Sequence, residues 1–462
     1  MLLGVSALAL ALVPQSNQGE ARPPNIIIFL ADDLGWADVS VHNPQAKTPT
    51  FERFTREGAE LTQCYAFPLC TPSRAALLTG RSPAGFGMGF RPIRPWDPSG
   101  LPAGIPTLAD RLQGQGYKTS LVGKWHLGHG TPMAHPNARG FDHFMGFLTG
   151  SIDHITHYSR DGGYDWQRNG NSLTQSGHSS SLIAQEAVAW INTLSPEQPF
   201  FLVVSFHAPH RPLQASTETI QGYKNINDPQ RQTFLAMVEE LDTAVGKIID
   251  AADKAEKWDP SLALYLSDNG AARGWGGDNG ILRGGKASTF EGGIRVPAAI
   301  RWPEAIPPGS RFSAPVSLMD ISATLLAAGG AKPDPEADGK DLRAHWEGRE
   351  PPPKAPLVFT ACSPGSLNYA LIQWPWKLVR RSLHKDGKTR NLLFHLERDP
   401  GEERNEAEAR PDLSQSLSSA LDAWLKAKRV TPLCADDKPP VGWRPPSDWT
   451  VQNLAKENSL FK

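Results

Sequence analysis

The sequence predicts an α/β fold. It reads as a large mixed, mostly parallel sheet flanked by helices on both faces, followed by a smaller C-terminal α+β domain with a short antiparallel sheet. Three observations carry this expectation. First, Asn25 to Ala31 (NIIIFLA), Phe200 to Phe206 (FFLVVSF) and Leu262 to Leu266 (LALYL) are continuous apolar runs, the pattern of strands buried on both faces. Second, helical patterns stand between them, at Thr107 to Gln113, Ser181 to Leu194 and Gln232 to Ala252. Third, a stretch rich in Pro, Gly and charge from about Ala331 to Ala355 reads as a linker. Beyond it, Leu357 to Ala361, Tyr369 to Arg380 and Asn391 to Leu396 read as short strands, and Leu413 to Lys428 as an amphipathic helix. The tail from Pro432 is Pro- and Trp-rich and irregular. The expected division is residues 1–20 as a signal peptide, 21–350 as the main domain and 351–462 as the C-terminal subdomain and tail.

Each long strand ends in polar residues. The first ends in Asp32-Asp33, the second leads to His207 and His210, and the third ends in Asp268-Asn269. In open α/β sheets, ligand sites gather just outside the carboxyl ends of the strands. Acids and histidines from three strands are therefore expected at one rim.

Composition narrows the partners. The chain of 462 residues carries 47 basic and 48 acidic side chains, a formal net charge of -1. No global field favours nucleic acid or an anionic membrane surface, so an anionic ligand would need a local cluster of cations. Met1 to Val13 is apolar and precedes Pro14 and a polar stretch; too short to span a bilayer, it reads as a secretory h-region. No later segment approaches ~18 continuous apolar residues, so no integral membrane segment is expected. The expected location is secreted, periplasmic or extracellular, or lumenal in a eukaryote. The four cysteines form neither a disulfide framework nor a CxxC zinc pair. Cys64 reads as a small buried residue, and Cys362 and Cys434 could pair in an oxidising compartment.

The most informative segment is Pro68 to Gly80 (PLCTPSRAALLTG). Pro72 suits the first turn of a helix with Thr71 as its cap; Ala75 to Leu78 propagate it and Gly80 ends it. Cys70 then stands at a helix N-terminus, where free N–H groups favour an anion. Arg74 follows one turn later on the same face. Taken alone, a buried cysteine opening a helix would be unremarkable. The whole motif, Cys-x-Pro-Ser-Arg, then small and aliphatic residues and Thr-Gly, resembles the first signature of the type I, formylglycine-dependent sulfatases of the alkaline-phosphatase superfamily. Gly116 to His126 (GYKTSLVGKWH) resembles their second signature. The resemblance extends from about Pro24 to the region of Leu393 to Pro400, nearly the whole chain.

That resemblance implies that Cys70 is oxidised to formylglycine before folding, by a formylglycine-generating or anaerobic sulfatase-maturating enzyme. The chemistry explains the choice. A simple alcohol or thiol attacking sulfur would leave a stable covalent sulfate, whereas one hydroxyl of an aldehyde hydrate can attack while loss of the other's proton expels sulfate. Asp32, Asp33, Asp268 and Asn269 offer oxygen donors, which suit Ca²⁺ or Mg²⁺ rather than zinc. The resemblance favours Ca²⁺, with residue 70 completing the set. By themselves, Asp-Asp and Asp-Asn-Gly also fit turns and caps. Lys124 and His126 would point to one side if their segment is extended. By resemblance, Lys124 binds sulfate and His126 deprotonates the second hydroxyl. His210, in Ala208 to Pro212 (APHRP), matches the histidine that protonates the leaving alcohol, and Lys286 matches the second sulfate lysine. Arg74, Lys124 and Lys286 would surround one anion with three cations. Glu291 and Arg295 are expected to fix the Lys286 loop.

The substrate implied is a sulfated carbohydrate. Gly140 to His154 and the Pro-Leu-Gln at 212–214 resemble the arylsulfatase branch that includes N-acetylgalactosamine-4-sulfatase. Asp153, His154, His157, Arg160 and Trp275 are candidate sugar contacts, although each alone reads more readily as a surface loop residue. Two other readings stand: a phosphonate monoester hydrolase or phosphodiesterase, which shares the motif and metal, and a non-catalytic binder of sulfated glycans. The oligomeric state is not legible.

Overall fold

The computed structural model of the chain describes residues 22–363, 365–383, 387–434 and 438–450. The expected signal peptide therefore lies outside the described residues. A ten-stranded sheet forms the centre. Its middle five strands are parallel and run in the order Ser261–Ser267, Asn25–Asp32, Phe200–Pro209, Lys118–Lys124 and His143–Phe147. The short strands at either side bring in antiparallel pairs, so the sheet is mixed.

The apolar runs explain why these strands are central. Side chains alternate across a strand. Ile26, Ile28 and Leu30 face one core, shared with the helices Cys70–Thr79 and Leu318–Ala328. Ile27, Phe29 and Ala31 face a second core, shared with the helices Ser179–Thr193 and Pro229–Lys254. A strand apolar on both sides is stable only when helices cover both faces, as here. Because the five strands are parallel, all their carboxyl ends open at one rim.

The C-terminal sheet is antiparallel, with strands Leu357–Ser363, Ser366–Gln373, Trp376–Leu383 and Thr389–His395 in sequence order. The expected single strand over Tyr369 to Arg380 is in fact two strands joined at Trp374-Pro375, since proline cannot donate into a ladder and turns the chain. One face of this sheet, with Phe359, Ile372 and Phe394, joins the main core. The other, with Val358, Leu371 and Leu378, packs on Leu417 and Leu421 of the helix Pro411–Ala427.

A buried ionic knot fastens the two parts. Lys377 Nζ lies 2.8 Å from both Glu291 Oε1 and Glu402 Oε1. Tyr65 Oη donates to Glu291 Oε2 at 3.0 Å, and the Glu291 amide donates to Glu402 Oε2 at 2.6 Å. Glu291 thus fixes its loop as expected, by ties to the C-terminal sheet. The tail is irregular yet packed: Trp449 is fully buried and its indole N–H donates to the Gly162 carbonyl at 2.9 Å. Cys362 and Cys434 form a disulfide, and Cys64 is a buried free thiol. Among the described residues, no helix is long and apolar enough to cross a membrane.

Candidate active site

The rim built by the parallel strands gathers every residue that the motifs single out for chemistry. Cys70 is the first residue of the helix Cys70–Thr79 and is 3% exposed. The helix begins earlier than expected. Leu69, not Thr71, is the cap residue, and Gly80 ends the helix at φ 68°. Thr71 is occupied elsewhere: its hydroxyl donates to the His126 carbonyl at 3.1 Å and accepts from the Ile93 amide at 3.1 Å.

His126 faces the cysteine, with Nδ1 3.2 Å from Cys70 Sγ. Its Nε2 lies 2.9 Å from the Ile93 carbonyl, which can only accept, so Nε2 carries the proton and the Nδ1 lone pair is turned toward residue 70. Burial, with Lys124 beside it, holds the His126 pKa well below the usual histidine range, so the ring is neutral. The condition for Lys124 and His126 to share a side, an extended segment, holds only as far as Lys124. The strand ends at Lys124, and His126 takes φ 57°. That left-handed turn brings its ring to residue 70 while Lys124 reaches elsewhere. A Cβ at Gly150 would come within 2.7 Å of the His126 ring, so only glycine leaves room for it.

Four oxygen-bearing side chains meet beside Cys70. The Asp33 amide donates to Asp268 Oδ1 at 3.3 Å, and Asn269 Nδ2 donates to Asp33 Oδ1 at 2.7 Å. Lys124 Nζ lies 2.6 Å from Asp32 Oδ2, and Lys286 Nζ lies 2.6 Å from Asp33 Oδ1. Arg74 grips Asp268: its Nε and Nη2 are 2.9 Å and 2.8 Å from Oδ2. Its Nη1 donates to the Lys124 carbonyl and to Ser205 Oγ. Arg74 was expected to flank the anion; its guanidinium is turned instead onto a carboxylate. His210 Nε2 lies 3.7 Å from Asp33 Oδ2, and its Nδ1 donates to the Arg211 carbonyl at 2.8 Å.

The electrostatics are those of crowded anions. Burial resists ionisation of Asp32, but Lys124, His210, Arg74 and Lys286 outweigh it and hold the carboxyl well below the usual range. Burial and the charge of Asp32 push Asp268 the other way, up to about 8, against Arg74. Two buried oxygens, Asp32 Oδ1 and Asn269 Oδ1, have no hydrogen-bond partner. Ligand atoms of Asp32, Cys70 and Asp268 lie within 4.8 Å of one another. Orphaned buried oxygens beside mutually repelling carboxylates are what a hard divalent cation relieves, so the donor set fits Ca²⁺ or Mg²⁺.

The site opens into a cavity of about 780 Å³. Of the expected sugar contacts, Arg160 and Trp275 line it. His154 and His157 are buried in the fold, and Asp153 is tied to Gln214 Nε2 at 2.8 Å and to the amides of Ile155 and Thr156. His207 stacks between His154 and His210 and touches His210 Nδ1 through its Nε2 at 3.2 Å. Sequence reading missed Ser205, the Ile93 carbonyl and the Arg91–Pro95 wall of the cavity. The first two act through generic groups; the Pro- and Arg-rich run at 91–95 was the one signal available.

A family model described as Sulfatase matches residues 24–331. A mouse protein, arylsulfatase J, is 36% identical over 72% of this chain, which spans only 57% of that relative's length. A dog protein, N-acetylgalactosamine-6-sulfatase, is 33% identical over 94% of this chain and 88% of its own. Among solved structures, Ps i-CgsB in complex with k-i-k-neocarrahexaose superposes with a TM-score of 0.82 at 31% identity, covering 87% of this chain and 93% of that one.

Proposed function

The chain belongs to the sulfatase family, and we propose that it hydrolyses sulfate monoesters of a sulfated carbohydrate with formylglycine, made from Cys70, as nucleophile. The observation that carries this reading is the Cys70–His126 pair: a residue at a helix start, 3.2 Å from the lone pair of a neutral imidazole, beside four convergent oxygen donors. The carbohydrate class is supported by the sugar sulfatase and the oligosaccharide complex among the relatives.

Roles follow from placement. Asp32, Asp33, Asp268 and Asn269, with residue 70, would hold the cation, Ca²⁺ before Mg²⁺. Bound there, it would offset sulfate charge and lower the pKa of a hydroxyl at residue 70. Arg74 orients Asp268. Lys124 and Lys286, each now on a carboxylate, are positioned to turn to sulfate oxygens once the carboxylates have a cation. His126, neutral with Nδ1 free, accepts the proton of the second hydroxyl. His210 donates its Nδ1–H to the Arg211 carbonyl and turns Nε2 to the leaving alcohol. It can donate from Nε2 only as the imidazolium, a form that burial and Lys286 oppose, lowering its pKa to about 4, that Asp32 and Asp33 favour, and that gains when Lys286 turns away to sulfate.

The disulfide supports a location in an oxidising compartment, and Cys70 conversion requires a maturating enzyme as a partner. Peptide mass spectrometry across residues 65–81 tests the reading. Formylglycine at position 70, with sulfate release from an aryl sulfate, is expected. An unmodified thiol made in a host with the maturating enzyme overturns it. So does a larger kcat/KM for an aryl phosphodiester.

A further inference from the structure

The wall of the cavity next to His210 carries more positive charge than one sulfate needs. Arg211 follows His210 directly, and its guanidinium lies flat on Trp275, 3.6 Å from the ring centroid. Trp275 lines the cavity, and its ring stands edge-on to His210 with centroids 6.2 Å apart. The face of Trp275 covered by Arg211 is closed to a sugar ring. Arg160 also lines the cavity and is exposed. Its backbone is tied to this wall, since the Arg160 amide donates to the Ser151 carbonyl at 3.0 Å and Ser151 Oγ donates to the Arg211 carbonyl at 3.1 Å.

Arg160 lines the cavity, whereas Arg211 is not itself a lining residue and borders it through Trp275 and His210, which are. Burial and the neighbouring Arg160 charge together lower the Arg211 pKa, so the two repel. The only acid among the described cavity-lining residues is Asp161, 3.6 Å from Arg160 Nη2. Arg211 makes no ion pair among the described residues, and its buried Nε has no hydrogen-bond partner. Among the described lining residues Asp161 faces Arg160 together with Arg91, Arg94, Arg273 and Lys286, which leaves a surplus of positive charge, and at the cavity's border a planar guanidinium held on an aromatic face offers its N–H edge as a fork.

We propose that Arg160 and Arg211, backed by Trp275, form a second anion site that binds a further sulfate or carboxylate on the leaving sugar or its immediate neighbour. The side of the site is set by His210, because the group that donates to the leaving alcohol stands beside the leaving sugar. This rests on the sulfatase reading above and sharpens its substrate: a glycan with two anionic groups close together, one removed and one read.

The test compares Arg160→Gln and Arg211→Gln with the unaltered enzyme on three oligosaccharides of one length: monosulfated, disulfated, and monosulfated with a uronate. The ratio of kcat/KM for a doubly anionic substrate to that for the monosulfated one is expected to fall about tenfold or more in each variant, the usual weight of a charge-assisted contact. Whether the disulfated or the uronate substrate falls further identifies the anion. An unchanged ratio in both variants overturns the proposal. An equal loss on all three substrates does so too, because Arg211 would then merely support His210. Calorimetric binding of the same oligosaccharides to the Cys70→Ala chain, with and without Arg211→Gln, measures the same preference without turnover. If the unaltered enzyme releases no sulfate even from an aryl sulfate, the sulfatase reading fails, and the calorimetric ratio still decides the anion site.

Discussion

The molecule contains two buried clusters made of the same ingredients, carboxylates and lysines, and they are finished differently. In the knot between the central and C-terminal sheets, one lysine sits 2.8 Å from two glutamates, and tyrosine and backbone donors take up further oxygens. At the rim of the parallel strands, Asp32, Asp33 and Asp268 each have a cation, yet Asp32 Oδ1 and Asn269 Oδ1 remain without partners. In the knot each carboxylate oxygen meets a donor or a cation, Glu402 Oε1 meeting only the Lys377 ammonium without a hydrogen bond, and the cluster serves the fold. The rim is left with open oxygens at its centre and serves a ligand. Buried ion pairs by themselves therefore do not identify an active site; oxygens that meet neither a donor nor a cation, gathered beside Cys70 at the strand ends, point to one.

The largest expected effect separates the two clusters by activity. Cys70→Ala should cost on the order of 10⁴-fold or more in sulfate release, because the nucleophile has no substitute. His210→Ala should cost roughly 10²–10⁴-fold with sugar substrates, and less with an aryl sulfate whose phenol leaves without a proton. Steady-state kinetics on both substrate types check this. Neither change should lower the unfolding midpoint much, since neither residue is needed to close a charge. Lys377→Met should do the reverse. It strands two glutamates in the interior and should cost roughly 3–5 kcal/mol of stability, read by denaturant titration, while kcat of the folded fraction changes little. If Lys377→Met instead removed activity at unchanged stability, the contrast between the clusters would collapse.

Metal loading sharpens the contrast further. A cation at the rim binds only the folded chain, so chelation should lower stability by about 2.7 kcal/mol when the free ion had been at ~100 times its Kd. Activity should disappear with it and return on adding Ca²⁺. The knot has no part in this: chelation should lower the stability of the Lys377→Met variant by the same amount. A chelation effect that vanishes in that variant would place the ion in the wrong cluster.

What the sequence revealed follows the range of the physics involved. Three of the five central parallel strands, and several of the flanking helices, were legible where burial on both faces writes an apolar run, as at Ile26 to Leu30; the strands Lys118–Lys124 and His143–Phe147, with glycine and polar residues among them, carry no such run. Most of the site was legible too, because residue types recur in short motifs whose chemistry demands them. What stayed hidden depends on contacts distant in sequence. The tautomer of His126 is set by the Ile93 carbonyl, 33 residues away, which has no side-chain signature. Arg74 was visible as a cation, but the strand ends that deliver Asp268 and Ser205 to it decide that it holds a carboxylate. The stack of Arg211 on Trp275 joins two loops with nothing in either to announce the other.

The smallest expected effect is a pH dependence that belongs to the knot alone. Burial, joined by the charge of Glu291 and opposed by Lys377, raises Glu402 to about 7, from 4.5 for an ordinary glutamate. The folded chain therefore holds this proton more tightly than the unfolded chain. The stabilisation is complete below about pH 4.5 and is lost as pH rises through about 7, after which it is flat. Between pH 5 and 7 the loss should not exceed roughly 2 kcal/mol. Glu402→Gln, neutral throughout, removes the titration while keeping the shape, so the difference in unfolding free energy between the two proteins should change with pH over that window. A constant difference would mean that Glu402 is ionised in the fold and that Lys377 balances both glutamates. The knot would then be a fully charged triad with one net negative charge, whereas at the rim each acid has its own cation. In that case oxygens that meet neither a donor nor a cation, rather than net charge, would be what tells the two clusters apart.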